Sequence, residues 1–338
     1  MFRSRVFRSL SRRPNVLQKV AQSPGGARRS YASEEFERHP RVPSVRSLGP
    51  TVWVLTASGV IYLGCAAYEV RQDIEATKKR SYGPVTYPKI DESRQREGQR
   101  QQLRTQTFSL YNVFSTPWAN FNSAELALLA SVGINTSIFA IASAYPTASA
   151  FFFFAHVPAS ARNFTLFTSM FGHGSLLHLG LNMYAITNFG PPVAACPTFN
   201  SSGAHLTAFY LSAGLFASLA QHLNAVWPNV ASRTVPSLGA SGAVFAMIGV
   251  FATEYPDAGM GIILIPGSLP ASQMLLGLVA FETWGSFIGF GNYFRWGHAA
   301  HLGGALMGIG YVAFNGKDRL WQPAKRLAFN GMRSVGLV

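Results

Sequence analysis

The sequence predicts an all-α membrane protein, a six-helix core preceded by one extra N-terminal transmembrane helix. Of its 338 residues 48% are hydrophobic and only 12% charged, about half the charged share of an ordinary soluble domain. Charge nearly vanishes between Thr105 and Gly316, where the bases are Arg162, Arg233 and Arg295 and the acids Glu125, Glu254, Asp257 and Glu282. In that stretch uncharged apolar runs follow one another, several near the roughly 20 residues that a bilayer-spanning helix needs.

Residues 1–33 come first. They hold Arg3, Arg5, Arg8, Arg12, Arg13, Lys19, Arg28 and Arg29 among Ser, Leu and Phe, without a carboxylate. That is the composition of a mitochondrial transit peptide; a secretory signal would need an apolar central region. An inner-membrane potential draws such a cationic segment inward. Residues 34–50 form a short polar segment, and 51–70 the extra transmembrane helix, inside the uncharged run Ser47 to Tyr68. Residues 71–117 are read as a polar, partly helical linker, 118–316 as the core and 317–338 as a basic C-terminal tail.

The six core helices are expected at Leu126 to Pro146; His173 to Phe189, stopped by Gly190-Pro191-Pro192; His205 to Leu223; Ala240 to Tyr255; Leu269 to Ile288; and Ala299 to Phe314. Trp118, Trp227, Trp296 and Trp321 flank these runs, as interfacial tryptophans do. Thr147 to Met170, with Phe151 to Phe154 in succession, is expected at the membrane interface.

Several functions are excluded. The net charge of +14 sits in the leader and linkers rather than on a clustered phosphate-binding face, so the chain is no soluble nucleic-acid binder. Cys65 and Cys196 lie in apolar runs and cannot make a disulfide framework. No phosphate-binding glycine loop is present.

Polar groups inside spans are costly and mark function. Gly239-Ala240-Ser241-Gly242 opens the fourth core helix, His298-Ala299-Ala300-His301-Leu302-Gly303-Gly304 the sixth, and His178 and Asn182 share one face near the start of the second. Gly304 and Gly308 form a small-residue face for close helix packing. Helices two, four and six of an alternating bundle all start on one membrane face, so these groups converge. Serine attacks a carbonyl only when a base takes its proton. His301 is placed for that role, with the Ser241 N–H, His178 and Asn182 as donors to the oxyanion. No Asp reaches the site, so His301 is expected to be steadied by a stacked ring, that of Phe245. Glu282, inside the fifth helix, is read as lining a water-filled cavity or pairing with a neighbouring helix, with the structural pairing favoured. His205 and His222 are placed at the interface, and His156 carries no signal.

His-x-x-x-Asn (178–182), Gly-x-Ser-Gly (239–242) and Ala-His-Leu-x-Gly (300–304), in this order across a six-helix core, resemble the rhomboid intramembrane serine proteases. The resemblance covers roughly 118–315. It implies a rhomboid core with Ser241 as nucleophile, His301 as general base and acid, and His178, Asn182 and the Ser241 backbone as oxyanion hole. Gly239, Gly242, Phe245 and Gly304 are supporting residues. Arg162 matches the family's Trp-Arg element, with Ala161 at the Trp position, and Phe245 stands where many relatives carry Tyr. No metal or cofactor is implied. The leader and the extra span resemble the mitochondrial inner-membrane branch, that of the yeast processing rhomboid and its animal presenilin-associated counterpart. Single-span membrane proteins are implied as substrates, by resemblance a dynamin-like fusion GTPase and cytochrome c peroxidase.

Two alternatives fit less well. A catalytically inactive rhomboid-like binding chaperone would be expected to lose the Ser or the His. A transporter or metalloprotease binding metal through His173, His178, His298 and His301 lacks the Glu of a His-Glu-x-x-His helix. The face to which the site opens is left open, because the linker and tail charges favour the matrix for one end of the first span and the leader favours it for the other.

Overall fold

A computed structural model of the chain describes residues 44–80, 83–102, 121–145, 152–160, 162–263, 265–289 and 297–338. The expected transit peptide, residues 34–43 of the polar segment, the linker beyond Gln102, Trp118, Thr147 to Phe151, Ala161 and Trp296 lie outside the described residues.

The extra helix, α1 (Leu48–Arg80), runs 33 residues, well past the expected end at residue 70. Its continuation is polar yet buried. Glu69, Asp73 and Thr77, four residues apart and hence on one face, are 2%, 8% and 5% exposed. Against α1 lie α2 (Tyr87–Gln102), the helical part of the linker, and α9 (Gln322–Ser334), where a basic tail was expected.

Arg94 of α2 meets Glu69 at 2.9 Å, and Lys325 of α9 meets Glu69 at 3.0 Å and Asp73 at 3.3 Å. Burial opposes the charge on Lys325, but Glu69 and Asp73 outweigh it and hold the ammonium above the ordinary lysine range. Val70, Ile74, Ile90 and Phe329 pack beside this network. The C-terminal segment is therefore a docked helix. It turns a cationic and apolar face onto α1, which composition alone does not separate from an exposed tail.

The six expected core helices are all present. They are α3 (Ser123–Ala144), α4 (Leu176–Ala195), α5 (Gly203–Val226), α6 (Ser241–Glu254), α7 (Ala271–Phe287) and α8 (His298–Ala313). A capping box starts α3: Asn122 accepts from the N–H groups of Ala124 and Glu125, and Glu125 accepts from that of Asn122 at 2.8 Å. Ser175 and Ser202 cap α4 and α5 by accepting from the N–H groups of His178 and His205.

The expected stop at Gly190-Pro191-Pro192 is not where α4 ends; both prolines lie inside the helix. Proline's fixed φ suits a helix, and its cost is the lost N–H and the crowding of the preceding turn. Here packing overrides that cost: Gly190 and Pro191 are buried, and a Cβ at Gly190 would come within 2.6 Å of Leu128 on α3.

α5 is the central post, packed against α1, α3, α6 and α8. Among the described residues three helices, α1, α3 and α5, are long and apolar enough to cross a membrane on length and composition. Helix α6, with 14 residues, rises only about 21 Å, less than the roughly 30 Å of a hydrocarbon core. It is shielded by its neighbours rather than by lipid. Two short strands, β1 (Gly259–Met260) and β2 (Leu269–Pro270), pair antiparallel before α7.

His205 and Trp321, both expected at the interface, are instead 1% and 3% exposed. Their rings stack at 4.5 Å, and His205 Nε2 meets the Tyr311 hydroxyl at 2.6 Å. The pair thereby ties the start of α5 to the end of α8 and to the turn before α9.

Lys325→Met should destabilise the fold by roughly 3–5 kcal/mol, because it leaves Glu69 and Asp73 buried without this cation. Thermal unfolding in detergent checks this, and adding Glu69→Gln to Lys325→Met should recover part of the loss.

Candidate active site

The site is assembled at the starts of α4, α6 and α8. Gly239 has φ +129°, a backbone conformation that side chains rarely adopt, and it turns the chain so that α6 begins at Ser241. The approach is pinned. Ser237 and His156 exchange backbone hydrogen bonds at 2.9 and 2.8 Å, and the Gly239 N–H donates to the Ser169 carbonyl at 2.9 Å. His156, for which the sequence offers no signal, is 1% exposed. It meets Thr165 at 2.8 Å and His222 at 2.9 Å, and His222 in turn reaches the Arg46 carbonyl at 2.6 Å. His222 is thus a buried link and not an interfacial residue.

Helices α6 and α8 touch along their backbones. A Cβ at Gly304 would overlap the Gly242 carbonyl, one at Gly308 the Ala246 carbonyl, and one at Gly249 the Ala305 carbonyl. Small residues permit this approach. It carries Ser241 Oγ to 2.8 Å from His301 Nε2. The Phe245 ring lies parallel to that of His301, with centroids 4.3 Å apart and planes 2° apart.

The Ser-His pair opens on a cavity of about 580 Å³ lined by His178, Asn182, Gly239, Ser241, Phe245 and His301, and by Gly242 and Gln221. His178 lies over Gly239, where a Cβ would come within 2.8 Å of its Nε2. The Asn182 amide donates to the His178 carbonyl at 2.8 Å, so one of its two N–H bonds is already engaged within its own helix. His173 sets its ring edge-on to His178 at 5.1 Å. Gln221 accepts from the Ala300 N–H at 3.3 Å; sequence reasoning missed it, although a glutamine inside the third apolar run was its signal. Arg162 is not among the cavity-lining residues; its guanidinium lies 3.6 Å over the Phe152 ring.

The expectation that a stacked ring alone steadies His301 is corrected. Glu282 of α7, 2% exposed, places Oε1 2.9 Å from His301 Nδ1 and Oε2 2.6 Å from His298 Nδ1. It does pair with a neighbouring helix, but the residue it meets there is the imidazole that faces Ser241. Gly285 makes room: a Cβ would come within 2.5 Å of His298 Nδ1. Among the described residues no group of three or more His, Cys, Asp or Glu is arranged to hold a metal ion.

Residues 160–317 match the Rhomboid domain family. This segment is a rhomboid domain. Over 229 residues the chain is 28% identical to presenilin-associated rhomboid-like protein A, mitochondrial, of Danio rerio, covering 67% of this chain and 57% of that protein. It is 35% identical over 156 residues to the human presenilin-associated rhomboid-like protein, mitochondrial, covering 46% and 38%. It is 31% identical over 165 residues to Rhomboid protein 1, mitochondrial, of Saccharomyces cerevisiae, covering 48% and 45%. The matches thus span less than two thirds of each relative's own length. These relatives are mitochondrial rhomboid proteins and support that branch for the matched segment, and the apolar helices of the chain are consistent with multi-pass membrane insertion.

The backbone contact of the rhomboid domain is open to direct test. Gly304→Val should push α8 off α6, costing about 1–3 kcal/mol of stability by overpacking, read as a lower unfolding midpoint in detergent.

The approach segment carries a pH signature. Burial, then the neighbouring His222, hold His156 down to about 3. The folded protein thus keeps His156 neutral, whereas the unfolded chain takes up a proton below about 6.5. The stability this provides is present above pH of about 6.5 and is lost as the pH falls towards 3. Unfolding midpoints measured from pH 7 to 4 should fall, and His156→Gln should flatten that fall.

Proposed function

We propose that this chain is an intramembrane serine endopeptidase that cleaves the transmembrane anchors of mitochondrial inner-membrane proteins. The observation that carries the proposal is the 2.8 Å contact of Ser241 Oγ with His301 Nε2 beside a cavity. As Oγ attacks the scissile carbonyl carbon, its proton passes to Nε2 and the carbonyl electron pair moves onto oxygen. The oxyanion is met by the Ser241 backbone N–H, the His178 ring and the second N–H of the Asn182 amide. Collapse breaks the C–N bond, and His301 returns the proton to the leaving amine. Water then attacks the acyl-enzyme by the same route, releasing a carboxylic acid and restoring Ser241.

The substrate segment must unwind before its carbonyl is exposed, since an intact helix keeps its backbone groups paired. Single-span proteins with small or helix-breaking residues near the cleaved bond fit this requirement. By resemblance a dynamin-like fusion GTPase and cytochrome c peroxidase are candidate substrates.

A fluorophosphonate serine probe applied to purified protein tests the proposal. Wild type should label, Ser241→Ala should not, and His301→Ala should label slower by about 10³-fold or more. Labelling retained in Ser241→Ala would remove the protease assignment.

A further inference from the structure

Nothing in a Ser-His pair requires a carboxylate in the next helix, yet Glu282 is aimed at the far side of His301. From this geometry we infer that Glu282 is a positioning residue for the base, holding His301 in its reactive tautomer and stabilising the imidazolium that forms during attack. The inference rests on the protease reading above.

A carboxylate inside a membrane domain is tolerated only when its oxygens are satisfied. Both are: Oε1 faces His301 Nδ1 at 2.9 Å and Oε2 faces His298 Nδ1 at 2.6 Å. An ionised carboxylate accepts and does not donate. A neutral His301 must then carry its proton on Nδ1 and keep the lone pair on Nε2. That Nε2 is the atom 2.8 Å from Ser241 Oγ, so the carboxylate selects the tautomer that can receive the serine proton. When the proton arrives, His301 becomes a cation 2.9 Å from Oε1. The proton stays on the ring, Glu282 remains ionised, and the charge pair lowers the barrier.

Other elements do not replace this carboxylate. Among the described residues, the titratable group lining the cavity besides His301 is His178 of α4, with His173 against its ring. Among the described residues α5 and α6 contribute no charged side chain to the lining. His298 holds the second oxygen, and the Ser286 hydroxyl donates to the Glu282 backbone carbonyl at 2.7 Å. Phe245 covers one face of the His301 ring and fixes its plane; Glu282 fixes which nitrogen carries the proton.

The test uses full-length protein in proteoliposomes and the fluorophosphonate labelling rate of Ser241 across pH, with thermal unfolding measured in parallel. Labelling needs a neutral imidazole beside the serine, so the acid limb of the rate reports the charge next to that ring. Glu282→Gln should lower the plateau rate by about 10²-fold and move the acid limb to lower pH by about one unit or more. Glu282→Asp keeps the charge at greater distance; it should slow labelling but leave the limb near its wild-type position. A folded Glu282→Gln protein with wild-type rate and limb overturns the inference. So does a rate loss in both variants with an unmoved limb, since that is the mark of structural damage alone. If Glu282→Gln does not fold, the uncharged Glu282→Met decides: a slowed rate with the limb displaced to lower pH supports the inference, and a wild-type rate or an unmoved limb overturns it. Ser241→Ala is the control. If it still labels, the protease reading has failed; if it is silent while Glu282→Gln behaves as wild type, only the role of Glu282 has failed.

Discussion

Ser241 and His301 meet because two helices touch backbone to backbone. With ordinary side chains at the crossing, α6 and α8 would stand about 8–10 Å apart, and the hydroxyl and the imidazole would be held further from each other. Gly304, Gly308 and Gly249 remove the side chains that would enforce that separation. No strong hydrophobic force drives helices together within lipid, so close packing itself is the attraction. The same contact that stabilises the core therefore sets the distance on which the proposed chemistry depends.

A second constraint is the treatment of buried polarity. Glu282 meets two imidazoles, Glu69 and Asp73 meet Lys325, Glu69 also meets Arg94, and His156 meets Thr165 and His222. Each group would be expensive alone in a medium of low dielectric. Each becomes tolerable by joining elements distant in the chain, so that the polar groups specify which helices neighbour one another. The Glu69 network fixes α1, α2 and α9 as one layer, whereas the His156 link holds the segment that leads into Ser241.

Much of the candidate site was legible because its signals are local. Ser241 lies two residues beyond a glycine that permits the turn, His301 lies one turn into a glycine-lined helix, and His178 and Asn182 share a face by their spacing. Alternation of spans was enough to expect all of them at one end of the core. The ring of Phe245, one turn beyond Ser241, could also be placed by periodicity alone. Glu282 could be noticed as a charge in an apolar run, but its partner could not be assigned, because nothing along the chain states which face of α7 turns towards α8.

Hydropathy and helical periodicity are properties of neighbouring residues, so the all-α membrane architecture, the order of the helices and the candidate site residues could be read along the chain. Where helices end against their local signals was settled by packing alone. In α4 the contact with α3 carries the chain through two prolines, and in α1 and α9 ion pairs bury a polar stripe. The partner of Glu282 belongs to the same class. That pairing joins residues 19 positions apart on different helices, and the rotation of one helix about its axis is set by its contacts with the others.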